Sequence, residues 1–199
     1  KAADAKTSRR LNILAKIVGD RMRVKLREEL GQAYSPGATA MTDNVFKNHS
    51  YILAFCPGKP ADVEQLSQAI VDLGDNLARN GATQDELNRA LTPQHATVKK
   101  SLKTNGYWLG SVMARSQARP YLLDWARGRK DDYKSITLEE INAMAKKFLK
   151  KDNAAQFIIK PKPAHDHDHK DGKHDHKKKA HADHDHAHDH AHGEGDHDH

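Results

Sequence analysis

The stretch Leu26-Arg27-Glu28-Glu29-Leu30-Gly31-Gln32-Ala33-Tyr34-Ser35-Pro36 changes period in its middle. Upstream, Leu11, Leu14, Val18, Met22, Leu26 and Leu30 recur every three or four residues. Residues 9–30 are therefore predicted as one helix with a single apolar face, Ser8 as its N-cap and Gly31 as its C-terminal stop. Past Gly31 the pattern becomes β-like over residues 33–42 and 49–56, with a polar hairpin connection between them. Residues 50–56, Ser-Tyr-Ile-Leu-Ala-Phe-Cys, are nearly all apolar and are expected to form a buried central strand.

Working outward, Pro57-Gly58-Lys59-Pro60 ends that strand, and Val63, Leu66, Ile70, Leu73 and Leu77 define a second helix stopping near Asn80-Gly81. Thr83 with Glu86 forms the capping box of a third helix, which Pro93 is expected to kink or restart and Asn105-Gly106 to weaken. After a further helical segment around residues 120–128, a second capping box, Thr137 with Glu140, opens a last helix burying Ile141, Met144, Phe148 and Leu149. Residues 154–161 are expected as a closing strand. The order helix, two strands, several helices, one strand predicts an α+β fold, a mainly antiparallel sheet covered by helices on one face. A long helix opening so small a sheet suggests one or two missing N-terminal strands.

The chain has 199 residues, and from His165 onward it contains no Val, Ile, Leu, Phe, Tyr or Trp. That segment cannot bury a core, so the reading is a linker over 1–7, a domain over 8–161 and a disordered tail over 162–199. The formal charge of +6 divides unevenly: the segment from His165 holds 10 acids and 5 lysines, leaving 28 basic and 17 acidic residues before it. The body's cations are scattered over helix faces rather than gathered with aromatics, so no nucleic-acid partner is expected. Cys56 is the only cysteine, which excludes an internal disulfide or a thiolate zinc cluster. No apolar run of about 18 residues exists to span a membrane. An opening without Met or a signal peptide suggests a piece of something longer.

The tail holds 13 of the 15 histidines: His165, His167, His169, His174, His176, His181, His184, His186, His188, His190, His192, His197 and His199. Imidazoles alternating with carboxylates suit zinc, and also nickel or copper, with no single fixed geometry. Binding needs neutral imidazole, whose ordinary pKa is about 6.5, so protonation below about pH 6 releases the metal. Zinc titration by calorimetry should show several sites at pH 7.5 and almost none at pH 5. Stoichiometric zinc retained at pH 5 would indicate a structured site instead. Such tails point to zinc handling in a periplasm.

Leu26-Arg27-Glu28, Gly31 and Ala33-Tyr34-Ser35, entered from a long helix and left into a strand, resemble the C-terminal half of an insulinase/pitrilysin-family zinc metallopeptidase domain, the fold shared with mitochondrial processing peptidase. The resemblance continues through residues 81–90 and the closing segment 135–161. It implies a zinc-dependent endopeptidase acting on peptides or unfolded protein. Its zinc site would use an inverted His-x-x-Glu-His helix that is absent here; the body's histidines, His49 and His95, lack such a setting. The zinc ligands would lie in an N-terminal peptidase domain, upstream or on a partner subunit. To this chain the resemblance assigns Arg27 and Tyr34, as contacts to the substrate carbonyl and the oxyanion.

Transition-state physics gives that pair a purpose, because preorganised donors stabilise charge that develops only during reaction. Arg27 brings a permanent charge and a donor fork, Tyr34 one rigid phenolic donor. An arginine near a helix C-terminus also suits the macrodipole, and a tyrosine opening a strand is ordinary core. Ser35 and Ser50 lack His and Asp partners for a serine hydrolase. Two other functions stay open: a non-catalytic subunit shaping the chamber, and a periplasmic zinc-scavenging or buffering protein acting through its tail.

Overall fold

A computed structural model describes residues 4–31, 33, 35–43 and 49–162, with the side chain of Glu29 outside that description. Tyr34 and the tail histidines thus lie outside the described residues. Helix α1 spans Ala5–Met22 and continues into a wide π-helical turn, Arg23–Glu29. It begins earlier than the pattern implies, inside the span expected as linker. Asp4, not Ser8, is the N-cap, its carboxylate accepting from the Thr7 amide at 2.6 Å. An aspartate at this position also favours the positive end of the helix dipole.

Helix α1 is the spine of the domain. Besides the expected stripe it buries Ile13 and Ile17, because strand β1, Gly37–Thr42, covers one side while helices cover the other. Gly19 allows the close approach: a Cβ there would sit 3.4 Å from the Ala38 amide of β1. At the C-terminus Gly31 takes φ 64°, the left-handed conformation expected of a helix-terminating glycine.

Strand β1 pairs antiparallel with β2, Ser50–Phe55, placing Gly37 opposite Phe55 and Thr42 opposite Ser50. An isolated bridge from Ala33 to Gly58 extends the hairpin toward the helix end. Among the described residues this is the whole sheet, so two expectations need correcting. Segment β2 is not a buried central strand: its side chains alternate, with Tyr51, Leu53 and Phe55 outward and Ile52 and Ala54 toward the core. Residues 154–161 pair with no described strand. Gln156 instead accepts from the Ser67 hydroxyl at 2.8 Å and Lys160 pairs with Glu64, leaving Phe157 and Ile159 89% and 90% exposed. A strand needs a neighbouring edge for its amides, and no described segment offers one there.

Helices α2, Val63–Asn80, and α3, Gln84–Ser101, follow as expected, with the Thr83–Glu86 capping box formed. Pro93 does not break α3. It lies on the solvent face, where the carbonyl that its ring leaves unpaired can be hydrated. The run ends before the expected weak point, in a turn at Leu102-Lys103-Thr104, and Asn105-Gly106 are helical and open the next segment. A second π-helical stretch, Tyr107–Met113, then leads into short helices α4, Ala114–Ser116, α5, Tyr121–Arg127, and α6, Arg129–Lys134. Helix α7, Leu138–Phe148, carries the second capping box and buries Ile141 and Ala145. Met144, Phe148 and Leu149 pack only partly against the core.

Candidate functional site at the helix-to-strand junction

The π-helical turn decides what faces out at the end of α1. Its wider spacing keeps Leu26 fully buried while Arg27 and Glu28 are exposed. The Leu30 amide donates to the Lys25 carbonyl at 3.2 Å, the Ala33 amide to the Leu26 carbonyl at 3.3 Å. Buried Ala33 is thereby drawn back against the turn that carries Arg27.

Of the five arginines in residues 5–29, four are engaged. Arg9 and Arg10 hold Asp132, Arg21 holds Glu86, and Arg23 bridges Asp20 and Glu28. Arg27 makes no hydrogen bond or ion pair with any described residue. Among the described residues nothing holds its guanidinium to the fold, and its donors face solvent.

Beside this turn lies a cleft of about 570 Å³ between α1, α2 and α3, lined by residues including Val24, Lys25, Leu73, Asn76 and Glu86. Sequence reading missed it, because it depends on Arg21, one more cation on a helix face. Arg21 donates to both Glu86 oxygens, at 2.6 and 3.0 Å, and to the Gly81 carbonyl at 3.0 Å. Glu86 closes the capping box as well, accepting from the Thr83 amide at 2.8 Å. The only advance signal was the capping box itself.

Hydrogen bonding from Arg21, ahead of the Thr83 contacts, pulls the Glu86 carboxyl from its ordinary 4.5 down to about 2. A depressed carboxyl stabilises the fold fully above its unfolded pKa and loses that contribution as pH falls from 4.5 toward 2. Glu86→Ala should cost about 2 kcal/mol at pH 7, from the lost cap plus a half-buried arginine left alone. Urea denaturation of both proteins at pH 7 and pH 3 should show the gap narrowing at the lower pH. A gap independent of pH would remove the charge from the explanation.

The described residues do not fit a zinc centre. No group of three or more His, Cys, Asp or Glu among them could hold a metal, and His49 and His95 belong to separate elements, the edge of β2 and α3. Cys56 is half-buried, and burial pushes its thiol up, away from a reactive thiolate. No helix among the described residues is long and apolar enough to cross a membrane.

An α+β domain with a long spine helix and a hairpin folded back along it has known counterparts. Residues 1–93 match the family model described as the peptidase M16 inactive domain. Its fold is similar to that of the periplasmic protease PqqL from Escherichia coli, at 19% identity and a TM-score of 0.63, over 75% of this chain and 16% of that one. A peptidase M16 inactive domain from Pseudomonas fluorescens is similar at 19% identity and a TM-score of 0.55, over 72% and 34% of the two chains. A conserved protein from Enterococcus faecalis V583 is similar at 16% identity and a TM-score of 0.58, over 69% and 32%. The matched region spans about a sixth to a third of those chains. No curated protein matches the sequence.

Proposed function

We propose that this domain is the non-metal half of a peptidase, lending Arg27, with Tyr34, to the carbonyl of a peptide held against a catalytic domain that lies outside this chain. One observation carries the reading: Arg27 is exposed and unengaged by any described residue, on a helix whose other arginines are all spoken for. A guanidinium left out of the fold's own ion pairs keeps its donors for a substrate oxygen. Similarity to an inactive M16 domain supports a helper role rather than a self-sufficient one.

Zinc chemistry belongs to the partnering domain in this reading, and the substrate is a peptide or an unfolded segment. Likeness to a periplasmic protease, together with the His/Asp-rich tail, supports a periplasmic setting. Within it, residues His165–His199 collect divalent metal without a fixed site. The deciding experiment is peptide turnover by the complete peptidase carrying Arg27→Ala. Turnover equal to the parent enzyme's would end the assignment.

A further inference from the structure

We propose that the helical segment from Lys99 to Tyr121 is a docking face for an acidic, amphipathic peptide segment, separate from the junction that carries Arg27. Between Glu86 and Asp124 the sequence contains no Asp or Glu, yet it holds Arg89, Lys99, Lys100, Lys103, Arg115 and Arg119. Arg89 is neutralised by Asp85 and Asp20. The other five make no ion pair with any described residue, so no described carboxylate compensates their charge.

Between the two groups of cations lies the Tyr107–Met113 segment, in which Val112 is the one buried residue, and Arg115 follows in α4. Leu109 and Met113, one turn apart, are 59% and 56% exposed. No atom outside the helix's own backbone lies within 4 Å of a Cβ placed on Gly106 or Gly110, so the surface there is open and low. Exposed apolar side chains next to a shallow helical surface suit the apolar stripe of another peptide. The flanking cations then select carboxylates on either side of that stripe.

A peptide fits better than a bilayer. An interfacial membrane helix inserts a broad apolar face with aromatic anchors at headgroup level. Here the exposed apolar side chains are Leu109 and Met113, with Tyr121 38% exposed at the end of the segment and its ring 4.9 Å from that of Trp125, which is a narrow display rather than a broad face. Trp108 is half-buried with its indole N–H bonded to the Leu102 carbonyl at 2.9 Å, and Tyr107 is held under Arg129, 5.0 Å from the ring centroid.

The test uses the whole 199-residue chain and a fluorescein-labelled peptide of Leu, Ala and Glu in helical register, with a Gln-for-Glu analogue as comparison. We expect saturable binding of the Glu peptide by anisotropy, weakened at least about tenfold by Arg115→Glu with Arg119→Glu. Leu109→Ser with Met113→Ser should weaken it at least about fivefold, and the Gln analogue should not bind. Lys146→Glu with Lys150→Glu, the same change of charge made at the end of α7, should leave the affinity unchanged, which separates this face from the domain's general positive charge. Circular dichroism of each variant confirms that it is folded. Equal affinity for the Glu and Gln peptides overturns the proposal. So does capture of phosphatidylglycerol vesicles, but not the peptide, through the same residues, or loss of a dimer in Leu109→Ser with Met113→Ser at unchanged peptide affinity.

Discussion

Replacing Arg27 by alanine in the complete peptidase should lower kcat for peptide hydrolysis about a hundredfold while leaving thermal stability within about 0.5 kcal/mol of the parent. The two halves of that expectation come from one geometric fact. Arg27 projects from the last, widened turn of its helix and takes part in no ion pair or hydrogen bond with a described residue. Its removal costs the described fold no partner, so stability should hold. If its donors are reserved for charge that builds on the substrate oxygen, the loss falls on the transition state and appears in kcat; a contact equal in both states would appear in KM instead. Arg27→Lys keeps the charge but loses the planar fork, and should recover about a tenth of the parent rate. A loss of activity that tracked a lower melting temperature would make Arg27 structural.

The apolar period of α1, both capping boxes and the turn at Gly31 were legible because each is a local signal, complete within a few turns of chain. The N-cap was not, because Asp4 lies upstream of the first apolar residue in the stripe, where periodicity has nothing to register and Ser8 looks the better candidate. The π-helical turn was invisible for a related reason: Leu26 and Leu30 keep the same separation in either geometry, while the orientation of Arg27 differs. Strand neighbours are a long-range property. Residues 50–56 and 154–161 are both strand-like in composition. Yet the exposure of Tyr51, Leu53 and Phe55 on β2, and of Phe157 in the unpaired closing run, depends on which edges and layers are present. The candidate site was half legible. Its arginine stood in a recognisable pattern, whereas the cleft beside it required Arg21 to meet Glu86 across 65 positions.

Asp132→Ala should destabilise the domain by about 3–5 kcal/mol, the largest loss expected of any single polar substitution here. Its carboxylate is 6% exposed and accepts from Arg9 at 2.6 Å and Arg10 at 3.0 Å, two cations that are themselves nearly buried. Burial alone would push the Asp132 carboxyl up; the hydrogen bonds from Arg9 and Arg10 outweigh it and hold the carboxyl below its ordinary value. Without that carboxylate Arg10 retains Glu140 at 3.0 Å, while Arg9 keeps only the Trp125 carbonyl and the face of Tyr133. The cost is therefore mainly that of stranding Arg9 in a poorly hydrated place. Glu140→Gln should cost less, about 1 kcal/mol, because Glu140 is 40% exposed and Arg10 still holds Asp132. Urea denaturation of the two variants checks the order. Because Asp132 belongs to α6 and the arginines to the first turns of α1, the same contact fixes the start of the helix whose far end presents Arg27. An Asp132→Ala loss below about 1 kcal/mol would mean that both arginines relax into water, and that α1 is anchored by its apolar faces alone.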